Sequence, residues 1–114
     1  MEKTVIEQRN GVCYVTYSGE LTLEVTSNLK ERIEQALENE YCRALVMDLS
    51  ETVFLDSSGI GFLVSLNKKM RQNGNTFYLY RPSAQVRKTL SLVKLLEYFS
   101  IAESQEELPE EIAD

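Results

Sequence analysis

Residues Val46 to Gly61 read VMDLSETVFLDSSGIG, and they indicate the fold class most clearly. They overlap a short apolar run, Arg43 to Leu49, that lacks a helical period and therefore predicts a buried central strand. A short loop follows this strand, and Asp56 is then expected to cap a helix from about Ser57 to Gln72. A strand that leads through a loop into a capped helix is typical of an α/β domain.

The chain before this stretch predicts a hairpin and a helix. Asn10-Gly11 separates two runs rich in β-branched and aromatic residues, with strands expected near residues 3–9 and 12–18. Type I′ turns require positive φ at both central residues, which favours this pair. The next apolar residues recur at helical spacing and predict an amphipathic helix. They are Val25, Leu29, Ile33, Ala36 and Leu37.

The alternation of strands and helices continues after the predicted helix at residues 57–72. Asn73-Gly74-Asn75 ends that helix, and a strand is expected at residues 76–80. Pro82-Ser83 opens another helix that runs to about Leu92. A short strand near residues 98–101 and a capping box for a last short helix follow. The residues of that capping box are Ser104 and Glu107, and Pro109 limits the helix or makes it restart.

Length and composition are those of one globular unit. The chain has 114 residues, of which 43% are apolar, enough for a hydrophobic core in a single domain spanning 1–114. The order of elements predicts an α/β fold with a mixed, mostly parallel sheet, an N-terminal hairpin, one antiparallel edge strand and about four helices.

The residue inventory argues against an enzyme. The chain contains no histidine, which excludes a Ser-His-Asp triad, a Cys-His pair and histidine metal sites. Cys13 and Cys42 are too few for a zinc site or a disulfide scaffold, so we expect reduced, packed thiols. Lys68 and Lys69 lie at the far end of the predicted helix, roughly 16–18 Å from the serines at its start, and cannot activate them. We expect no catalytic residue, no metal and no cofactor.

The negative charge is concentrated in a tail. Net charge is −6, and residues 103–114 contain six acids and no base, which leaves twelve acids and twelve bases in the first 102 residues. No basic stripe is available for phosphates, which argues against direct nucleic-acid binding. Met1 to Thr4 lack an apolar signal region, and the apolar run at Ile60 to Val64 is far too short to span a bilayer. We therefore expect a cytoplasmic protein that does not insert into membranes.

Asp56-Ser57-Ser58-Gly59 places hydroxyl groups at a predicted helix N-terminus. Free backbone N–H groups and the positive end of the helix dipole lie there, and a phosphate is well accommodated in such a position. Ordinary capping by Asp56 and close helix–sheet packing at the glycines explain the same residues without a phosphate. The helix is apolar nearly all round in its first turns, which indicates either burial or contact with a partner. Its apolar residues are Ile60, Phe62, Leu63, Val64 and Leu66.

Over nearly its whole length the chain resembles the anti-sigma factor antagonists of the STAS family. The resemblance rests on Asp56-Ser57-Ser58-Gly59-Ile60-Gly61, on Ser18-Gly19-Glu20-Leu21, on Val46-Met47-Asp48-Leu49 and on Gly74 before Phe77. Two positions depart from the family pattern. Thr22 stands where an acid often follows Gly-Glu-Leu, and Val93-Lys94-Leu95 stands where Ser-Gly-Leu is common.

The resemblance implies a phosphorylation switch. In the family the serine directly after the aspartate is phosphorylated, which is Ser57 here. The kinase is an anti-sigma factor with a histidine-kinase-like ATPase fold. The unphosphorylated antagonist binds this kinase and frees a sigma factor, and a PP2C-type serine phosphatase resets the cycle. The implied partner-binding residues are Thr22, Asp56, Ser57, Ser58, Gly59, Ile60 and Gly61.

Two other functions stay open at this point. STAS domains also act as scaffolds in stress-sensing complexes or as partner subunits of lipid-transport ATPases, without a switch. A phospho-aspartate receiver domain has a similar size and could use Asp48 or Asp56 as acceptor. It would need an acidic pair after its first strand for magnesium, and Asn10-Gly11 stands there instead.

Overall fold

The computed structural model describes residues 2–39 and 42–109. The strands of this part are β1 (Lys3–Arg9), β2 (Val12–Leu21), β3 (Ala44–Asp48), β4 (Thr52–Leu55), β5 (Thr76–Tyr80) and β6 (Ser100–Ala102). The helices are α1 (Leu23–Asn39), α2 (Ser57–Gln72) and α3 (Ala84–Leu92). Single 3₁₀ turns occupy Leu96–Tyr98 and Gln105–Glu107.

The hairpin forms where the sequence predicts it. Asn10 and Gly11 have φ values of 49° and 86°, so both central residues of the turn lie in the left-handed region that a type I′ turn requires. β1 pairs antiparallel with β2, from Arg9 opposite Val12 to Lys3 opposite Ser18. β1 is therefore the antiparallel edge strand.

The sheet is mixed and mostly parallel, as predicted. Its order is β1-β2-β3-β5-β6, and β4 pairs with β2. β2, β3, β5 and β6 run parallel, with Tyr14, Val46, Tyr78 and Ser100 in register across them. β2, β3 and β5 are aligned so that their carboxyl ends, and the connections that follow, lie at one edge.

β4 is absent from the prediction, which treated Ser50 to Leu55 as loop. Thr52–Leu55 instead forms a four-residue strand parallel to the end of β2, with Leu55 opposite Leu21. Thr52 is fully buried, and its hydroxyl donates a hydrogen bond of 2.8 Å to the carbonyl of Tyr17. The strand depends on this distant partner, because four residues are too few to show a period in the sequence.

The helices follow the sequence closely until the C-terminal segment. α2 begins at Ser57 and ends at Gln72 as predicted, and Ser83 caps α3 by accepting a hydrogen bond from the backbone N–H of Val86 at 3.2 Å. The predicted fourth helix is wrong, since Gln105–Glu107 makes only one 3₁₀ turn. Glu107 accepts from the backbone N–H of Glu103 at 3.2 Å, but the Ser104 side chain caps nothing. The last strand also starts two residues later than predicted, at Ser100. The remainder of the acidic tail, residues 110–114, lies outside the described residues.

The core lies mainly between the sheet and the helices. Leu29 and Ile33 of α1, Leu63 and Leu66 of α2, and Leu90 of α3 pack with the sheet in one cluster. A smaller cluster occupies the other face of the sheet, where Leu108 packs with residues such as Val12 and Val46. Both cysteines are buried thiols, as predicted.

Burial accounts for most of the apolar circumference of α2. Phe62, Leu63 and Leu66 are buried, while Ile60 and Val64 are half-buried against the same cluster. The packing alternative for this helix is therefore confirmed. None of the helices within residues 2–39 and 42–109 is both long and apolar enough to cross a membrane.

Lys94 ends α3 in a strained backbone conformation. Its φ is 60°, and the N–H of Leu95 donates to the carbonyl of Leu90 at 2.8 Å, which closes a Schellman-type turn. Glycine is the usual residue at such a position, because a side chain in the left-handed region costs about 1–2 kcal/mol. The family pattern has glycine at this position. Lys94 replaces it here, but the backbone adopts the left-handed conformation that glycine favours.

We expect Lys94→Gly to stabilise the protein by about 0.5–1 kcal/mol, the net of relieved strain and the added freedom of the unfolded chain. The matched control is Ser91→Gly, which introduces glycine inside α3 and should destabilise by about 0.5–1 kcal/mol. Chemical denaturation followed by circular dichroism measures both. A loss of stability in Lys94→Gly would contradict this account of the helix end.

Candidate functional site

The carboxylate of Asp56 joins the first turns of two helices. Its Oδ1 accepts a hydrogen bond of 2.8 Å from the backbone N–H of Gly59 and so caps α2. Its Oδ2 accepts one of 3.1 Å from the backbone N–H of Leu23, the first residue of α1. Both N–H groups belong to first turns, where no carbonyl of the same helix can accept from them. One side chain therefore satisfies a donor at the start of each helix.

Backbone hydrogen bonds fix the same junction. The N–H of Asp56 donates to the carbonyl of Leu21 at 3.4 Å, which extends the pairing of β2 with β4 to the start of α2. The carbonyl of Thr22 accepts from the N–H groups of Val25 and Thr26 at 3.0 Å and so begins α1. Thr22, half-buried, therefore lies beside Asp56 at the junction, which brings together these two parts of the predicted site.

The hydrogen bonds to Asp56 favour its ionised form. The backbone N–H of Gly59 contributes most and that of Leu23 contributes further, and together they hold the pKa of the Asp56 carboxyl below its ordinary value of 3.8 despite some desolvation. The site therefore carries a fixed negative charge at neutral pH.

The two serines differ in their exposure. Ser57, the first residue of α2, is exposed, whereas Ser58 is half-buried at the edge of a cavity between α1 and α2. Because Asp56 supplies the cap, the hydroxyl of Ser57 is not needed for it. An exposed hydroxyl on the first residue of a sixteen-residue helix, at the positive end of the helix dipole, can accept a phosphoryl group without unfolding the helix.

The two glycines of the motif have different surroundings. A Cβ on Gly59 would lie 2.3 Å from the carbonyl oxygen of Leu21, so α2 packs directly on the backbone at the end of β2. A Cβ on Gly61 would meet no atom within 4 Å. Gly59 therefore serves close helix–sheet packing, whereas Gly61 leaves the surface of α2 bare. Ile60, between them, is half-buried in the core.

Exposed apolar side chains lie in the two segments that lead into the site, and the sequence did not reveal them. Leu23 is 67% exposed, Val53 51% and Phe54 48%. Leu23 precedes the apolar stripe that predicts α1, and Val53 and Phe54 lie in the segment that the sequence predicts to be a loop. The feature of the sequence that could have indicated them is the pair of adjacent large apolar residues, Val53 and Phe54, shortly before the Asp56 cap. Such residues on a surface often mark a protein-binding site.

The part of the chain that the structure describes contains no cluster of three or more cysteine, aspartate or glutamate side chains that could hold a metal ion. The site is thus made of hydroxyls, one carboxylate and backbone groups, together with an apolar border.

Because a Cβ fits at Gly61 but not at Gly59, we expect alanine to have opposite effects on stability at the two positions. Gly59→Ala should destabilise the protein by about 1–3 kcal/mol or more, because the added methyl group overlaps a backbone carbonyl. Gly61→Ala should stabilise it by about 0.5–1 kcal/mol, because alanine is the better helix former and has open space around it. Denaturant titration of both variants measures the difference. Equal effects of the two substitutions would contradict the packing described for α2.

The hydrogen bonds of Asp56 predict a pH dependence. Since its pKa is lower in the folded chain than in the unfolded one, the stabilisation is complete above about pH 4 and is lost as the pH falls through the folded-state pKa. Asp56→Asn should therefore be less stable than the unmodified protein at pH 7, and the gap should shrink on acidification. Denaturation midpoints between pH 7 and 2 measure this gap.

The control for this experiment is Ser57→Ala, which leaves the cap intact and should cost about 1 kcal/mol or less. Its pH profile should run parallel to that of the unmodified protein. A gap between Asp56→Asn and the unmodified protein that stays constant to pH 2 would show that ionisation of Asp56 does not stabilise the junction.

Comparison with known proteins places this geometry in a family. The family model of the STAS domain matches residues 3–108. An anti-sigma F factor antagonist of Paenibacillus polymyxa is 25% identical over 100 residues, which cover 88% of this chain and 86% of that protein.

Solved structures share the fold. An anti-sigma factor antagonist from Mycobacterium paratuberculosis superposes with a TM-score of 0.78 at 25% identity, covering 93% of this chain and 89% of that one. The Bacillus cell fate determinant SpoIIAA superposes in its unphosphorylated form with a TM-score of 0.77 at 20% identity, covering 91% of each chain. Its phosphorylated form gives 0.71 at 19% identity, covering 91% of this chain and 95% of that one. With the family model matched over almost the whole chain, this protein belongs to the STAS domain family.

Proposed function

We propose that this protein is an anti-sigma factor antagonist controlled by phosphorylation of Ser57. The unphosphorylated form binds an anti-sigma factor, which releases a sigma factor, and phosphorylation ends this binding. The observation that carries the proposal is the exposed Ser57 hydroxyl at the start of α2, next to a carboxylate that already caps the helix. The names of the Paenibacillus and Mycobacterium relatives support the antagonist role.

The proposed partner-binding surface consists of Ser57 and its neighbours in the motif together with an apolar border. Leu23 is bonded to Asp56 through its backbone N–H, and Val53 and Phe54 precede Asp56 by three and two residues; all three are exposed apolar residues. Buried apolar and aromatic side chains supply most of the affinity in protein interfaces. Thr22 adjoins Leu23, and its neutral side chain in place of an acid would affect the choice of partner.

Electrostatics provide the proposed switch. A phosphoryl group adds about −1.5 to −2 charges at pH 7, and it would stand beside the ionised Asp56. The helix N-terminus offsets part of this charge, typically by about 0.3–1 kcal/mol, so the domain stays folded. At an interface built around a neutral hydroxyl and apolar side chains, the added charge would lose its hydration without gaining a partner.

The remaining partners follow from this role. The anti-sigma factor would have a histidine-kinase-like ATPase fold and would act as the serine kinase, and a PP2C-type phosphatase would remove the phosphate. The protein itself would be a cytoplasmic substrate of these enzymes and would need no cofactor. Its output would be a protein complex, without direct contact to nucleic acid.

We expect phosphorylation to weaken binding of the anti-sigma factor about 30- to several-thousand-fold, since an unpaired buried charge costs on the order of 2–5 kcal/mol. The experiment screens the histidine-kinase-like ATPases of the source genome for binding and for ATP-dependent phosphorylation. Isothermal titration then compares the unmodified chain, the phosphorylated chain and Ser57→Asp, which should show a weaker effect. Circular dichroism confirms that all three remain folded.

Gln35→Glu is the matched control, because it adds one negative charge to an exposed side chain near the far end of α1, and it should change affinity less than twofold. Peptide mass spectrometry should find one phosphate, on Ser57. Phosphate on Ser58 would refute the assignment of the acceptor. Equal affinity of the phosphorylated and unmodified chains would refute the switch and favour a scaffold or partner-subunit role.

A further inference from the structure

A groove runs between α1 and α2 and begins beside the Ser57 site. Two adjoining cavities of about 300 and 640 Å³ form it, and both are lined by Lys30, Gly61 and Ser65. Ser58 lines the end near Ser57, and Asn73 lines the opposite end. The groove thus continues the surface of the proposed interface along the length of α2.

The charged side chains that line the groove are mostly basic. They are Lys30, Lys68 and Lys69, together with the carboxylate of Glu34. Lys69 donates to Glu34 at 3.1 Å and joins the two helices at the wall of the groove. Within residues 2–39 and 42–109, Lys30 and Lys68 form no ion pair with a carboxylate. The groove therefore has two positive charges that the described part of the chain does not compensate.

Gly61 leaves the floor of the groove bare. Glycine inside a helix costs about 1 kcal/mol relative to alanine, and the open space around Gly61 shows that the packing of the chain does not require it. Without a side chain at this position, a segment of another protein can approach the backbone of α2 closely.

We propose that this groove binds an acidic segment of the anti-sigma factor, in an inference that rests on the proposed function. The two uncompensated lysines supply the charge complementarity, and the continuity with Ser57 and Ser58 indicates that the same partner reaches both. The acidic tail of this chain is the other candidate. However, Leu108 packs with Val12 and Val46 on the face of the sheet opposite the helices, so the tail departs from the far side of the domain.

The groove also extends the reach of the switch. Gly61 lies about 6 Å along the helix from Ser57, within the Debye length of about 8 Å at physiological ionic strength. A phosphate on Ser57 would therefore repel an acidic segment that enters the groove at Gly61. Phosphorylation would weaken the contact along α2 as well as the contact at the hydroxyl itself.

The test compares two double variants that remove the same charge from different places. Lys30→Gln/Lys68→Gln neutralises the groove, and Lys3→Gln/Lys88→Gln neutralises lysines outside it. Isothermal titration uses the anti-sigma factor that binds the unmodified chain, at low and high salt. We expect the groove variant to bind about 3- to 30-fold more weakly at low salt, with a smaller difference at high salt. The control variant should change affinity less than twofold.

A second substitution tests the groove floor without changing charge. Ser65→Gln, at an exposed residue that lines both cavities but lies outside the Ser57 motif, places a longer helix-compatible side chain in the groove, so it should weaken binding while thermal unfolding shows no loss of stability. Ser57→Asp is measured in the same series to keep the two proposals separate. If Ser57→Asp weakens binding but Lys30→Gln/Lys68→Gln binds as tightly as Lys3→Gln/Lys88→Gln, the groove proposal is overturned and the switch stands.

Two further outcomes also count against the proposal. If the free chain self-associates in sedimentation and only Lys30→Gln/Lys68→Gln abolishes this, the acidic tail of a second copy occupies the groove instead. If no anti-sigma factor binds the unmodified chain, the proposed function and the groove proposal are both overturned.

Discussion

The shared hydrogen bonds of Asp56 are the constraint on which the site depends. One carboxylate accepts from the first turn of α2 and from the first residue of α1, so two helix N-termini meet at one charge. Each helix N-terminus carries a partial positive charge, and their convergence would be unfavourable without an anion between them. The close contact of Gly59 with the carbonyl of Leu21 completes the junction, because any side chain there would push α2 away from β2.

Because the cap is formed by Asp56, a charge added at Ser57 would not require a change in the fold. Asp56 satisfies the helix donors, while Ser57 remains exposed and is not needed for the cap. A modification of Ser57 therefore changes what the surface presents to a partner more than it changes the fold. The exposed Leu23 and Phe54 would then supply affinity, and the charge near Ser57 would regulate it.

The features that the sequence predicts correctly are the turns and helix caps, which neighbouring residues determine. Asn10-Gly11 encodes its own turn, and Asp56 with Asn73-Gly74 encodes both ends of α2, because caps and turns depend on neighbouring residues. The contacts that the sequence does not reveal connect distant segments. Neither the pairing of β4 with β2 nor the hydrogen bond from Leu23 to Asp56 has a local signature. The predicted fourth helix fails for the related reason that a capping box is too weak to build a helix before Pro109.

Partner binding at this junction is tested by a nitrogen-15 NMR titration of the labelled chain with the anti-sigma factor proposed as its partner. We expect signal changes to concentrate at Leu23, Phe54 and Ser57 to Gly61, and we expect the phosphorylated chain at the same concentrations to show none of them. The amides of Leu23 and Gly59 should stay protected from hydrogen exchange in both forms. Changes centred on Tyr14 and Tyr78, on the opposite face of the sheet, would contradict the account.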